Sequence, residues 1–282
     1  MLAVILGALL FVICKASGQH PTSSRYRYIP KYFSQRDPSQ SPPASYPPHM
    51  GLQDGYTWHD VHAEVAAGRL EGRNVKLLVF LRHGEGIHNV ATNKYGMFAW
   101  DGYYSKLPEY LDSPLTKTGV IQAGKASKML DGEISMGLHL DNVLVSPLER
   151  TLHTYSVAYQ NQQNIKSTVV ELAREILGVS TCDQRRSISE KRLEYPHLDF
   201  SKIKSDADPW WTSDHRETDA EIKIRATKFL NFIFSNTSSQ SVGVVSHSIF
   251  AAALLGVVNH PVYKIATAEF LPLLIEAFPP AN

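Results

Sequence analysis

From Val75 to the end of the chain, short β-branched or aliphatic runs alternate with longer helical stretches. More than any other feature, this alternation limits the folds open to the sequence. Runs that are apolar throughout must be covered on both faces, and helices between them supply the cover, which is the pattern of a parallel sheet in an α/β domain. Strands are predicted over Lys76 to Leu81, Asn142 to Val145, Thr168 to Leu172, Val242 to Val245 and Leu271 to Ile275. Helices are predicted over Thr118 to Leu130, Thr151 to Gln160, Asp219 to Phe234 and Ile249 to Val257. The expected fold is a three-layer α/β/α sandwich with a mostly parallel central sheet. Between Gly178 and Asp214 the chain is polar and carries Trp and Pro. It reads as a long insertion, of a kind that often forms binding loops or lids.

The first 74 residues differ in kind. Leu2 to Ile13 form an uninterrupted apolar run, followed by Lys15 and the small residues Ala16-Ser17-Gly18. That run falls short of the roughly 20 residues needed to cross a bilayer. It predicts a secretory signal cut near Gly18, although no Lys or Arg precedes it. A secreted product with no membrane association after cleavage is therefore expected. Cys14 would leave with the signal, so Cys182 remains alone and no intrachain disulfide is possible. Asn236-Thr237-Ser238 has the form of a glycosylation acceptor. Residues 19 to 56 are rich in Pro, Ser, Tyr and Gln. Proline at that density forbids regular helix and central strand, so an extended arm is predicted, laid over the domain by Tyr26, Tyr28, Tyr32 and Phe33. A short helix is predicted over Trp58 to Ala67, closed by Gly68. The expected organisation is a signal over 1–18, an arm and short helix over 19–74, and a catalytic domain over 75–282.

The formal net charge of +1 gives no basis for nucleic-acid binding, which calls for a strong basic excess. An anionic ligand must be attracted by a few positioned cations. Such cations stand after the strand candidates, where parallel sheets bind their ligands. Lys76 to Leu81 is followed by Arg82-His83-Gly84, and Asn142 to Val145 by Ser146-Pro147-Leu148-Glu149-Arg150. Thr168 to Leu172 is followed by Ala173-Arg174-Glu175, and Val242 to Val245 by Ser246-His247-Ser248. Arg82 and Arg150 offer planar forks suited to phosphate oxygens. His83 and His247 can serve as nucleophile and charge partner, and Glu175 can give a proton to a leaving alkoxide. Gly84 and Gly86 would let backbone approach an anion before the chain turns into a helix. These groups make a phosphate-handling site that needs no metal and no cofactor. His59 and His62 lie three apart, but no third zinc ligand of suitable spacing accompanies them.

Leu81-Arg82-His83-Gly84-Glu85, with Asn89 six residues after the histidine, resembles the signature of the histidine phosphatase, or phosphoglycerate-mutase-like, superfamily. The resemblance continues through Asp112 to Gly119, Ser146 to Thr154, Leu172 to Gly178, Val244 to His247 and Ala268-Glu269-Phe270, and so spans residues 75 to 282. His88-Asn89, Cys182 to Arg185 and Trp211 to Thr218 are most similar to a fungal-type, mutase-like branch. The resemblance implies that His83 attacks phosphorus and becomes a phosphohistidine. It implies that Arg82, Asn89, Arg150 and His247 hold the phosphoryl oxygens, and that Glu175 is the proton donor. In place of the family's Leu-x-Glu the segment reads Leu172-Ala173-Arg174-Glu175, so Glu85, Glu171 and Asp183 compete with Glu175 for that role.

The function expected is hydrolysis of a small phosphorylated metabolite by a metal-independent phosphatase. Two rivals are a mutase that returns the phosphoryl group to a second hydroxyl, and an idle protein that only binds a phosphorylated ligand. Arg185, Arg186, Lys191 and Arg192 are expected to form an ordinary solvated face, with attraction of a polyanion as the sharper alternative. Cys182 is expected to be buried and inert. Trp210 and Trp211 are expected to pin the insertion rather than stack on a substrate.

Overall fold

The computed structural model describes residues 25–35, 45–236 and 238–279. The predicted signal, Cys14 and Thr237 of the glycosylation motif lie outside them.

Six strands form one sheet: β1 (Tyr26–Tyr28), β2 (Asn74–Arg82), β3 (Asn142–Val145), β4 (Lys166–Val169), β5 (Ser241–Ser246) and β6 (Phe270–Ala277). Their order across the sheet is β1-β6-β2-β5-β3-β4. The pairings β2–β5, β3–β5 and β3–β4 are parallel, while β6 lies antiparallel to both β2 and β1. Among the described residues there are eight α-helices: α1 (Trp58–Leu70), α2 (Ile87–Tyr95), α3 (Met97–Gly102), α4 (Lys117–Ser135), α5 (Glu149–Ala158), α6 (Ile188–Glu194), α7 (Asp219–Ser235) and α8 (Ser248–Val257).

The two-residue period of β2 builds the layers. Leu77, Val79 and Leu81 pack with Trp58 and Val65 of α1, Leu130 of α4 and Leu152 of α5. Leu78 and Phe80, on the opposite face, pack with Ile222 and Phe229 of α7 and Phe250 and Leu254 of α8. Every residue from Val75 to Leu81 is buried, as a central strand covered on both faces must be. This is the α/β/α sandwich with a mostly parallel sheet that the alternation predicted.

Several boundaries moved, each for a tertiary reason. The strand predicted over Thr168 to Leu172 sits at Lys166–Val169, opposite Asn142–Val145, and Glu171–Ala173 is a 3₁₀ turn. Helix α1 runs past Gly68 to Leu70 because Gly68 faces inward. A Cβ there would lie 2.8 Å from Val75 Cγ2, so the glycine serves packing rather than termination. The arm contributes more than cover: Tyr26–Tyr28 is an edge strand on β6, and Tyr26, Tyr28, Tyr32 and Phe33 are all buried. The insertion carries α6 and is locked in place from within. Trp211 Nε1 donates to Ser180 O at 2.9 Å. Arg185 is fully buried, donating to Glu171 Oε1 at 2.8 Å and to the carbonyls of Ser205, Asp206 and Ala207. Lys191 is fully buried against Asp112 at 2.6 Å, and Arg186 is paired with Glu149 and Glu194. Of the four cations expected to form a solvated face, Arg192 is exposed as expected, whereas Arg185, Arg186 and Lys191 turn to partners within the protein. They are the internal struts of the insertion.

Candidate active site

Strands β2, β3 and β5 run parallel, so their carboxyl ends share one edge of the sheet, and the site gathers there. His83 follows β2 directly, its backbone N–H donating to Ser246 O at the end of β5. Its ring is completely buried. Nδ1 lies 2.7 Å from Gly84 O, and since a carbonyl can only accept, Nδ1 carries the proton and Nε2 holds the lone pair. Nε2 is buried without a hydrogen-bond partner. Burial, and then the charges of Arg150, His88 and Arg82, hold this imidazole well below its ordinary pKa. The group is therefore neutral and nucleophilic at physiological pH.

The space beside the loop glycines is taken by protein. A Cβ on Gly84 would meet Gly119 O at 2.4 Å, and one on Gly119 would meet Glu85 O at 2.1 Å. Gly84 thus lets the first turn of α4 close against the histidine loop. A Cβ on Gly86 would meet the His88 ring at 2.5 Å. The glycines expected to admit an anion instead admit a helix and an imidazole.

His247, the N-cap residue of α8, lies with its ring centroid 5.1 Å from that of His83. Its Nε2 is 2.8 Å from Ser146 Oγ, at the end of β3, while Nδ1 is buried and unpartnered. Burial first, and then Arg150 and His83, hold it well below the ordinary imidazole pKa. Arg82 is anchored by Nη1 donating to Ile265 O at 2.8 Å. Arg150 is wholly buried, with Nη1 donating to Cys182 O at 2.6 Å and Nη2 paired with Asp183 at 2.9 Å. The Nε atoms of both arginines are buried without partners. Asn89 Oδ1 accepts from Gly86 N at 2.9 Å, closing the first turn of α2.

Glu175 is buried at the N-terminus of α8, accepting from the backbone N–H groups of Ile249 and Phe250 as well as Ile176. Burial, reinforced by the charge of Asp183, raises its pKa against the pull of Arg150 and these N–H groups. The three competitors are placed differently. Glu171 is ion-paired with Arg174 and Arg185 and lines a separate pocket beneath Trp210. Asp183 is clamped between Arg150 and Arg216, each at 2.9 Å. Glu85 lines the cleft, with Oε1 accepting from Thr116 Oγ1.

The cleft has a volume of about 650 Å³ and is lined by Arg82, Glu85, His88, Asn89, Arg150 and Glu175, with Asp183 and Arg216 from the insertion side. Arg216 escaped the sequence reading, which singled out only the stretch Trp211 to Thr218 around it. His88 was named there only as part of the mutase-like stretch His88-Asn89, with no role of its own. Among the described residues no group of three or more His, Cys, Asp or Glu side chains is arranged to hold a metal ion. Cys182 is buried, and burial raises its thiol well above the ordinary range.

Comparison with known proteins adds a family. A family model described as histidine phosphatase superfamily (branch 1) matches residues 78–265. A protein of Arthroderma benhamiae described as a probable phosphoglycerate mutase is 31% identical over 280 residues, covering 89% of this chain and 84% of the relative. A phosphoglycerate mutase-like protein 1 of Arabidopsis thaliana is 33% identical over 204 residues, covering 62% and 69%. Among solved structures, an alpha-ribazole phosphatase from Shigella flexneri superposes with a TM-score of 0.46 at 20% identity, covering 70% of this chain and 89% of that one.

Proposed function

Because the chain belongs to the histidine phosphatase superfamily, whose chemistry is that of a phosphatase or mutase, we propose that it hydrolyses a small phosphorylated metabolite through a phosphohistidine on His83. The observation that carries this reading is the state of His83. Nδ1 is committed to Gly84 O, and Nε2 is buried without a partner between guanidinium groups.

In the first step the Nε2–phosphorus bond forms and the ester phosphorus–oxygen bond breaks, with Glu175 giving its proton to the leaving oxygen. In the second step water attacks phosphorus, the nitrogen–phosphorus bond breaks, and Glu175 takes the proton back. Charge spreading over the equatorial oxygens is met by Arg82, Arg150 and His247. The proposed scheme uses no metal, because guanidinium groups supply the neutralisation. Turnover insensitive to a chelator is the corresponding expectation.

The printed names of the relatives favour a second reading, a mutase. It differs in returning the phosphoryl group to the substrate instead of to water. Phosphate release and isomer formation from a phosphoglycerate, measured side by side, separate the two. For the chemistry itself, rapid quench with labelled phosphomonoester should trap acid-labile, alkali-stable label on His83. An active preparation carrying label elsewhere, or none, refutes the proposal. The proposed setting is the secretory pathway, supported by the apolar run Leu2 to Ile13; a mature N-terminus near Gly18 in exported protein is the expected finding.

A further inference from the structure

Five buried nitrogen atoms without hydrogen-bond partners meet around this site: Arg82 Nε, His83 Nε2, His88 Nδ1, Arg150 Nε and His247 Nδ1. A buried polar atom left unpaired costs on the order of 1–3 kcal/mol; with the lone pair of His83 Nε2 among nitrogens able to donate, such a cluster suits an electrophilic centre surrounded by acceptor oxygens. Four of these residues are the expected phosphate-handling groups. The fifth is not.

His88 occupies the second position of α2, directly after the loop that carries His83. Its ring centroid lies 5.4 Å from that of His83, and the residue lines the cleft beside Arg82 and Arg150. The ring is folded back over the Gly86 backbone, where a Cβ would stand 2.5 Å from Nδ1 and 2.6 Å from Cε1. Only a residue without a side chain permits that pose. The gap is therefore used to seat an imidazole beside His83 at the cleft, not to bring backbone to the anion. Arg82 and Arg150 line the same cleft and have no acceptor to offer Nδ1–H, and the lone pair on His83 Nε2 makes no hydrogen bond to it.

We propose that His88 is a further substrate-contacting residue, whose Nδ1–H donates to an oxygen of the phosphoryl group during its transfer to and from His83. It rests on the phosphoryl-transfer reading above, and it adds a third imidazole to a site for which two were expected. Asn89, the next residue, accepts from the Gly86 N–H through Oδ1, which leaves its Nδ2 to donate beside the imidazole at this turn of α2.

The test is affinity for orthovanadate and for inorganic phosphate by titration calorimetry, run with phosphate release from p-nitrophenyl phosphate. His88→Ala should weaken vanadate binding and lower kcat/KM by about tenfold to hundredfold, the range for a hydrogen bond to a charged group. His88→Asn places an amide N–H near the position of Nδ1–H and should restore most of the loss. His88→Gln, whose amide reaches toward the Nε2 position, should not. Gly86→Ala keeps the imidazole but displaces it, and should reproduce the His88→Ala loss while melting within a few degrees of wild type. If His88→Ala stays within twofold of wild type, or if Asn and Gln fail alike, the inference is overturned while the phosphatase reading stands. Wild-type protein that neither binds these anions nor releases phosphate would overturn both.

Discussion

Replacing Asp183 by Asn tests whether the cleft is held by charge compensation. Asp183 is 3% exposed, and its two oxygens meet Arg150 and Arg216 at 2.9 Å each. The Arg150 side chain is 1% exposed, so removal of the carboxylate leaves a cation buried with only Cys182 O as acceptor. Breaking one partner of a buried pair costs about 3–5 kcal/mol. An amide keeps one acceptor oxygen, which places the expected loss near ~3 kcal/mol at the low end of that range. For a domain of this size each kcal/mol moves Tm by about 2–4 °C, so Tm should fall by about 6–12 °C. A bound phosphate dianion would supply the missing negative charge. Saturating inorganic phosphate should therefore raise the Tm of Asp183→Asn more than that of wild type, since ligands that bind only the native state stabilise in proportion to affinity. Thermal melts followed by circular dichroism, with and without phosphate, read both effects. A Tm within 2 °C of wild type, or equal phosphate stabilisation of the two proteins, refutes the charge-compensation argument.

The same carboxylate bears on pH dependence. The proposed reaction needs neutral His83 and protonated Glu175. Its rate rises with pH through the depressed pKa of His83, so the acid limb of kcat/KM should lie below the ordinary imidazole range. It falls with pH through the raised pKa of Glu175, so the alkaline limb should lie above the ordinary carboxylate range. Glu175→Gln should remove that limb along with most of the rate, and an unchanged limb would assign the acid to Glu85. In the insertion, Lys191 and Asp112 are fully buried at 2.6 Å. Lys191→Met should cost about 3–5 kcal/mol in urea unfolding, with part of it regained in the double variant carrying Asp112→Asn. A double variant no more stable than Lys191→Met would show that the pair is not the source of the loss.

What could be read from the sequence depended on whether the determinant was local. Apolar runs such as Val75 to Leu81 and Val242 to Val245 announce buried strands by composition alone, and a reactive residue at each carboxyl end then converges by the geometry of a parallel sheet. The grouping of Arg82, His83, Arg150, Glu175 and His247 at one edge of the sheet was legible for that reason. β1 was not, because three residues in a Pro- and Tyr-rich segment become a strand only by pairing with Glu276 and its neighbours on β6. The role of Gly86 was misassigned because nothing in the pattern tells a glycine that admits an anion from one that admits the ring two residues later. Arg150 could be named as a phosphate fork, but not its clamp, since Asp183 stands 33 residues away in a segment without periodicity.

That clamp changes what the insertion is for. A mobile lid would carry its charges outward and exchange them with solvent, whereas here the insertion turns Asp208 inward onto Arg174, which precedes it and is fully buried, bridging Glu171 and Asp208 and donating to Asp183 O at 2.6 Å. Arg185 repeats the arrangement from the other side of Glu171. From the partly exposed Glu171, buried Arg174 and Asp183 therefore continue one run of partners that ends on Arg150 Nη2. Each charge in the run is costly to bury alone and inexpensive only as a member of the set. The consequence is a back wall that cannot swing away without uncovering several charges at once. Preorganised groups assist a transition state because they need no rearrangement when charge develops. On the proposed mechanism the polar insertion would serve the phosphoryl group at one remove, its Asp183 and Cys182 fixing Arg150.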